Sequence, residues 1–435
     1  MQLVKRFSFP STFEIALLLS LIVFVAAIWW TRPSDVSYIE YGYTVLSFWK
    51  SGFWDLLEFT MQMVLILVFG HTLALSKPVD SLLRKLSGMV NSNTQAVLLT
   101  GSMAMAGGYL NWGFGLVLGA ILARKIGESA QEKKISINYP LVAASGYLGM
   151  LVWHGGLSGS STLKVAESGH FLQEVIGLVP IDQTVFSAYN LWGNLILILV
   201  LLGVMFWLSR KQYGKVALPS ITFIYEGKEA GRDKTGLLVG ALMAMLIIVE
   251  ILKIRDQDWS FIDLNFVNFT LLALGLMLFG SLKSFASALS HAVKGATDII
   301  LQFPFYAGIL GMMKYSGLLL MLAEDMVFRS GPQTFPVLSF LSAALVNFFI
   351  PSGGGQWAIQ GPVMMEAAIK MGLDIPKMIM AFAYGDQLSN MLQPFWALPL
   401  LSITGVPAKE IFRYTVYFFL AATLVFGFSV WLWVA

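Results

Sequence analysis

The chain of 435 residues has no cysteine, which excludes disulfides, thiolate metal sites and a thiol nucleophile together. Charge is scarce as well: Asp, Glu, Lys and Arg make up 12% of residues, where soluble domains average ~25%. With 57% of residues hydrophobic, the solvent for most of the surface must be lipid. The formal net charge is only +3 and is spread along the connections, so no nucleic-acid partner is implied. Histidine is rare too. His71, His154, His170 and His291 are all there is for metal or acid–base work, and no cofactor is called for.

What the chain has is long apolar runs. The first, Thr12 to Trp30, follows Lys5 and Arg6 and is long enough to cross ~30 Å of hydrocarbon. It outlasts a signal-peptide core and reads as a retained first helix, anchored at the interface by Trp29 and Trp30. Plain spans follow at Trp54 to Leu75, Phe186 to Ser209, Thr235 to Leu252, Phe261 to Leu282, Ala296 to Leu318 and Glu410 to Trp433.

Other apolar stretches are interrupted at mid-depth. Residues 137–163 break at Trp153-His154-Gly155-Gly156-Leu157-Ser158-Gly159-Ser160-Ser161, and residues 375–403 break between Gly385 and Pro394. Residues 95–125 and 337–371 each consist of two halves too short to cross, joined by a glycine-rich tip: Gly107-Gly108-Tyr109-Leu110-Asn111 and Pro351-Ser352-Gly353-Gly354-Gly355-Gln356. These read as re-entrant hairpins. Non-helical backbone at such depth is tolerated only where it lines a protected or watery cavity, so four such breaks point to one site.

Lys and Arg in the connections set the orientation. With the N-terminus cytoplasmic, that side holds Lys77, Arg84, Lys85, Arg124, Lys125, Lys133 and Lys134, and the cluster from Arg210 to Lys234. The C-terminus then lies outside after nine crossings.

An internal repeat accounts for the pattern. Leu46-Ser47, Gly52 and Asp55 match Leu289-Ser290, Gly295 and Asp298; Gly108, Trp112, Lys125 and Gly127 match Gly353, Trp357, Lys370 and Gly372, with Asn111 opposite Gln356. Pro140 and Gly169 match Pro376 and Gly405. Five crossings separate the matched helices, and an odd number inverts the repeats. The expected organisation is a first repeat over 1–209, a cytoplasmic linker over 210–234 and a second repeat over 235–435. The fold class is an all-α polytopic membrane protein with inverted repeats, two re-entrant helical hairpins and two broken transmembrane helices.

A hairpin tip frees the N-terminus of its second helix, whose amides and dipole attract an anion. Gly353, Gly354 and Gly355 let backbone approach a carboxylate, and Gly108 has the same role at the first tip. Ser158, Ser160, Ser161, Thr162, Ser352, Asn111, Gln356, Asn390 and Gln393 add neutral donors and acceptors, with no buried arginine clamp for a multiply charged substrate. Trp112, Trp153, Trp357, Phe395 and Trp396 suit a wall for a short alkyl chain, or plain packing. A carboxylate at membrane depth is costly and by default functional, so Asp386 is the candidate for ion coupling, with His154, Ser389 and Asn390 beside it. Sodium at the hairpin tips and a proton at these groups are the two coupling ions to weigh. Glu366 lies in the outer half of the second hairpin, within reach of the interface.

Gly156-Leu157-Ser158-Gly159 has the form seen around the serine of rhomboid intramembrane proteases, but a hydrolase also needs a base within reach, and the repeat goes unexplained on that reading. A channel is the other rival; two hairpins around broken helices suit alternating access better.

Pro351-Ser352-Gly353-Gly354-Gly355-Gln356-Trp357, Gln302-Phe303-Pro304-Phe305-Tyr306-Ala307-Gly308, Asn111-Trp112-Gly113-Phe114-Gly115 and Gln393-Pro394-Phe395-Trp396-Ala397-Leu398-Pro399 resemble the bacterial short-chain fatty acid transporter family, which includes acetoacetate and butyrate permeases. The resemblance runs over nearly the whole chain. It implies uptake of short monocarboxylates across the bacterial inner membrane, and kinship with the ion-transporter superfamily, whose dicarboxylate members are homodimers with a scaffold and a moving transport domain. Sodium-coupled dicarboxylate members carry Ser-Asn-Thr at both tips. The tips here read differently, a departure that bears on both sodium coupling and the dicarboxylate binding mode; it fits a smaller monoanion, with other organic anions such as dicarboxylates as the alternative substrate.

Overall fold

The computed structural model describes residues 12–55, 57–211, 234–253, 264–328, 330–349 and 352–433. The regular structure among them is helical throughout. The first half runs α1 (Thr12–Thr31), α2 (Tyr38–Asp55), α3 (Leu57–Ala74), α4 (Lys77–Gly88), α5 (Asn93–Leu110), α6 (Trp112–Glu132), α7 (Tyr139–Ser145), α8 (Ser160–Lys164), α9 (Gln173–Ile176) and α10 (Ala188–Ser209). The second runs α11 (Lys234–Lys253), α12 (Leu264–Phe279), α13 (Leu282–Val293), α14 (Thr297–Tyr315), α15 (Leu318–Phe328), α16 (Phe335–Asn347), α17 (Gly353–Lys370), α18 (Ile375–Ser389), α19 (Pro394–Thr404) and α20 (Ala408–Leu432). Most of the linker expected at 210–234, the N-terminal Lys5 and Arg6, and Pro351 of the second tip lie outside the described residues.

Helices α1, α10, α11 and α20 are each long and apolar enough to cross a bilayer, and α3–α4 and α13–α14 form bent pairs at 80° and 44°. Their outer faces leave Leu21, Trp29, Trp192, Leu199, Leu246 and Leu424 exposed, a surface that only lipid solvates well.

The two halves pack by one scheme. α2 lies along α14 as α3 lies against α13; α1 meets α14 as α12 meets α3; α4 meets α6 as α15 meets α17; and α6 touches α19 as α17 touches α8. Reciprocal pairing of this kind is what two related repeats produce. Within it the elements sort into two bodies: α1, α2, α3, α11, α12, α13 and α14 pack mainly on one another, and the hairpins, broken segments, α10 and α20 do the same. Between them runs a seam where α3 meets α6 and α14 meets α19. It is mostly apolar, with Phe303 stacked on Phe395 at 3.9 Å.

Several local expectations change. The first hairpin covers α5 and α6 rather than 95–125, and its tip shrinks to Asn111. That residue is extended, donates its own N–H to Gly107 O, and caps α6 by accepting from Phe114 N–H at 3.0 Å, so one residue ends one helix and starts the next. Gly107 and Gly108 are therefore helical. In the second hairpin α16 ends at Asn347, and Ser352 caps α17 through Gly355 N–H at 3.2 Å. Gly353, Gly354 and Gly355 form the first turn of α17, and none has positive φ.

The first broken helix is shorter than 137–163 suggested. α7 stops at Ser145, a 3-10 turn covers Leu148–Leu151, and only the single turn α8 follows the break. Gly146, Gly149, Gly155, Gly156 and Gly159 propagate a helix poorly, and three of them meet hairpin backbone: a Cβ on Gly146 would sit 2.7 Å from Gly119 O, one on Gly149 2.5 Å from Ala104 O, and one on Gly156 2.4 Å from Tyr109 O. The second break is narrower than Gly385 to Pro394. α18 continues to Ser389 because Gly385 is a packing glycine against Phe340 O, and the chain turns only through Asn390–Leu392 and Gln393 before Pro394.

Candidate functional site

Both hairpin tips and both breaks converge on one buried cluster. The first tip meets the first break: Trp112 N–H donates to Ser158 Oγ at 3.0 Å, and Leu157 N–H to Tyr109 O at 2.8 Å. It also meets the second break, Trp112 lying edge-on to Trp396 with ring centres 5.0 Å apart. The second tip reaches the first break at Gly353, where a Cβ would be 3.0 Å from Trp153 and 3.2 Å from both His154 Cε1 and Ser160 Oγ. It reaches the second break at Asn347, whose Nδ2 faces Asp386 O at 2.6 Å, Ser389 Oγ at 2.9 Å and Asn390 Oδ1 at 2.8 Å. Tyr147 of the first half closes the ring, its hydroxyl donating to Asn390 O at 2.9 Å.

At the centre, His154 and Asp386 join the two halves. His154 Nδ1 lies 2.7 Å from Asp386 Oδ2, with the side chains 0% and 1% exposed. On the ring's far side, Ser161 N–H donates to Nε2 at 3.1 Å. A nitrogen that accepts an amide proton carries a lone pair, so the ring's own proton sits on Nδ1 and is donated to Asp386. Ser161 Oγ, 2.9 Å from Nε2, donates to the same lone pair. The ring is stacked on Trp153 at 4.4 Å, and Phe382 meets it edge-on at 6.0 Å. His154 N–H donates to Gln387 Oε1 at 3.0 Å, fixing α18 against the break a second time.

Several buried groups of the cluster keep a polar atom without a protein partner: the donors Gln387 Nε2, Asn390 Nδ2, Trp153 Nε1 and Trp357 Nε1, and the acceptors Asp386 Oδ1, Gln393 Oε1 and Gln356 Oε1. An unpaired buried donor or acceptor costs ~1–3 kcal/mol. Other such atoms are scattered through the core, at Thr72, Asn194, Gln302 and Thr415 among them; these seven lie about the two breaks and the second hairpin, where one polar ligand could meet them. The donors suit a carboxylate and the acceptors a proton or a small hard cation.

The residues expected at the site divide by what they do here. Ser161, Asp386, His154, Ser389, Asn390, Gln393, Trp357, Gly353 and Ser160 lie in the cluster. Gly108 faces packing, a Cβ there falling 2.5 Å from Gly149 Cα, so no guest can approach from that side. Asn111 and Ser352 cap their helices, and Ser158 accepts from the first tip. Gln356 Nε2 ties the hairpin arms through Ala343 O and Gln360 Oε1, and Thr162 Oγ1 donates to Gly159 O. Gly354 is exposed, and a Cβ on it would meet only Ser160 Cβ at 3.9 Å. Glu366 pairs with Lys370 at 2.6 Å on the surface. Sequence reasoning missed Asn347, Gln387 and Tyr147. Asn347 carried a signal, as a carboxamide closing an apolar run just before the second tip; Tyr147 carried none.

The protease reading fails on the same geometry. The motif serine, Ser158, accepts from Trp112 N–H, and the serine bonded to the imidazole is Ser161, so Ser158 lacks the base that the motif reading requires.

A helical membrane protein in which two tips and two breaks enclose a buried cluster of paired and unpaired polar groups is, as a class, a polytopic transporter and not an enzyme. The comparison with known families agrees: the profile described as "Short chain fatty acid transporter" matches residues 1–433, and the chain belongs to that family. A protein of Escherichia coli (strain K12) provisionally named a short-chain fatty acid transporter is 36% identical over 427 residues, covering 96% of this chain and 94% of its own. One of the same name from Haemophilus influenzae is 33% identical over 444 residues, covering 96% and 95%. Among solved structures, the Alcanivorax borkumensis YdaH transporter aligns over 98% of both chains with a TM-score of 0.45 and 16% identity, too distant a likeness to bear on mechanism.

Proposed function

We propose that the protein takes up short-chain monocarboxylates, such as short-chain fatty acids or acetoacetate, across the bacterial inner membrane by cation-coupled symport. The observation that carries this reading is the set of unpartnered donors and acceptors around the His154–Asp386 pair at the meeting of both breaks. Among the described residues no arginine or lysine enters the cluster, so one carboxylate is better served there than two. Its charge is balanced by a co-transported cation at the acceptor side, and the tryptophans take up the alkyl chain.

The two bodies supply the motion. Hairpins, broken segments, α10 and α20 move as one against a scaffold built on α1–α3 and α11–α14, with two scaffolds joined in a homodimer. The boundaries at 1–209 and 235–435, and an N-terminus inside with a C-terminus outside, complete this reading.

Purified protein in proteoliposomes tests it. Labelled butyrate should accumulate under an imposed inward proton or sodium gradient, and unlabelled acetoacetate should compete while succinate does not. Failure of any short monocarboxylate to enter or exchange would remove the reading.

A further inference from the structure

We propose that the coupling cation is a proton bound at His154 Nε2, and that its arrival ejects the Ser161 amide and releases α8 from beneath the second hairpin's tip. This deepens the symport reading and rests on it. In the structure, Nε2 is an acceptor twice over, from Ser161 N–H at 3.1 Å and Ser161 Oγ at 2.9 Å. A proton added to Nε2 leaves imidazolium with two N–H donors. The hydroxyl adapts by turning about its Cβ–Oγ bond and accepting. A backbone amide has no such freedom, because its proton points at the ring and it has no lone pair to offer. Donor then faces donor, and one of them must move.

The ring is the fixed partner. Nδ1–H is held by Asp386 at 2.7 Å, one face is stacked on Trp153 at 4.4 Å, Phe382 closes its edge, and its backbone N–H is held by Gln387. These contacts also welcome the charge: the carboxylate lies at Nδ1 and an indole face offers cation–π attraction. Of the ring's hydrogen bonds, only the one from the Ser161 amide cannot adapt to an added proton. α8 is the movable partner, a single turn of five residues in which Ser161 is one residue past Ser160.

Ser160 carries the movement onward. Gly353 of the second tip sits where a Cβ would be 3.2 Å from Ser160 Oγ and 3.2 Å from His154 Cε1, so displacement of α8 removes the support beneath the tip. Among the described residues, Asp386 is the one ion-forming side chain against the ring. The neighbouring ions are paired elsewhere, Lys164 with Glu167 on and beyond α8 and Glu366 with Lys370 on α17, and the phenols of Tyr147 and Tyr384 are spent on Asn390 O and Asn190 Oδ1. Release of the proton to the opposite side restores the lone pair, and the amide returns.

The test reads α8 directly. The chain is free of cysteine, so Thr162→Cys, at a position 0% exposed on α8, places one thiol where only unlatching admits a maleimide. Labelling is compared at acid and alkaline pH with the same thiol in a His154→Gln background, which cancels the thiol's own pH response. The expected result is a labelling ratio near one at alkaline pH that rises at least five-fold at acid pH. A flat ratio across pH overturns the proposal, and so does butyrate accumulation driven by a sodium gradient at equal pH. Butyrate counterflow in the parent separates the failures: if counterflow persists with a flat ratio, only the latch is wrong, whereas absent counterflow removes the transport reading itself.

Discussion

At the residue scale, the glycines of the second tip have different reasons to be there. Gly353 is buried with its missing Cβ aimed at Trp153, His154 and Ser160 at 3.0–3.2 Å, so a methyl group must push the tip off the imidazole. Gly354 points a Cβ into open space, with only Ser160 Cβ at 3.9 Å. Three glycines in a row read as one feature in sequence; folded, they are a contact, an exposed position and the amide that meets the cap. Gly353→Ala should therefore cut uptake ten-fold or more and cost about 1–3 kcal/mol of stability from overpacking. Gly354→Ala should keep or raise the thermal midpoint, gaining about 0.4–1 kcal/mol through the unfolded chain. Thermal unfolding in detergent together with butyrate uptake separates the two, and equal effects at both positions would mean that the tip sits elsewhere.

At the scale of elements, legibility followed the kind of signal. The plain spans α10, α11, α14 and α20 lie within a few residues of their expected bounds, because a run of apolar residues long enough to cross admits one solution in lipid. The broken helices keep the expected register at their starts: Pro140 and Pro376 both lie in the first turn, after the caps Asn138 and Asp374, and Gly169 and Gly405 both have positive φ. The hairpins do not. Gly108 precedes its tip and Gly353 follows its own, so the aligned residues fall on opposite sides of the turn. Small residues recur there for helix contact as well as for the turn, and an ungapped match cannot tell the two uses apart. The short amphipathic helices α4 and α13 went unseen, since each buries only one stripe. The His154–Asp386 pair was legible as two candidates but not as a contact, because 232 residues and a fold separate them. Gly149 shows what the first hairpin needs: its Cα faces Ala104 O, with 2.5 Å left for a Cβ. Gly149→Val should push the broken segment off α5 and prevent a monodisperse peak in size-exclusion chromatography, whereas the same change at Gly203, which has nothing within 4 Å, should leave the peak intact.

At the scale of the whole molecule, orientation and movement are separate questions with separate tests. Orientation is read by single cysteines: Lys133→Cys, after α6, should react only with reagent that reaches the cytoplasm, and Asp182→Cys, between α8 and α10, with impermeant reagent added outside. The reverse pattern would invert the topology. Movement is read at the seam. There Ser402 Oγ of α19 donates to Gly295 O at 2.6 Å, just ahead of α14, and a Cβ on Gly295 would lie 2.9 Å from Ser402 Oγ. The serine oxygen stands where a cysteine sulfur would, and a disulfide that joins two Cβ atoms ~3.5–4.5 Å apart also brings each Cβ this near the other sulfur. The chain offers no competing thiol. The pair Gly295→Cys and Ser402→Cys should therefore cross-link on mild oxidation and pin α19 to the scaffold. If transport requires the hairpin body to slide along this mostly apolar seam, the oxidised protein should lose butyrate uptake and counterflow together, and a reductant should restore both. Butyrate should still protect a labelled thiol near the tips in the locked form, because the cluster around His154 and Asp386 lies wholly within the body formed by the hairpins and broken segments. Parent-level uptake by fully cross-linked protein would show that the seam is static, and the alternating step would then have to lie in the hairpin tips alone.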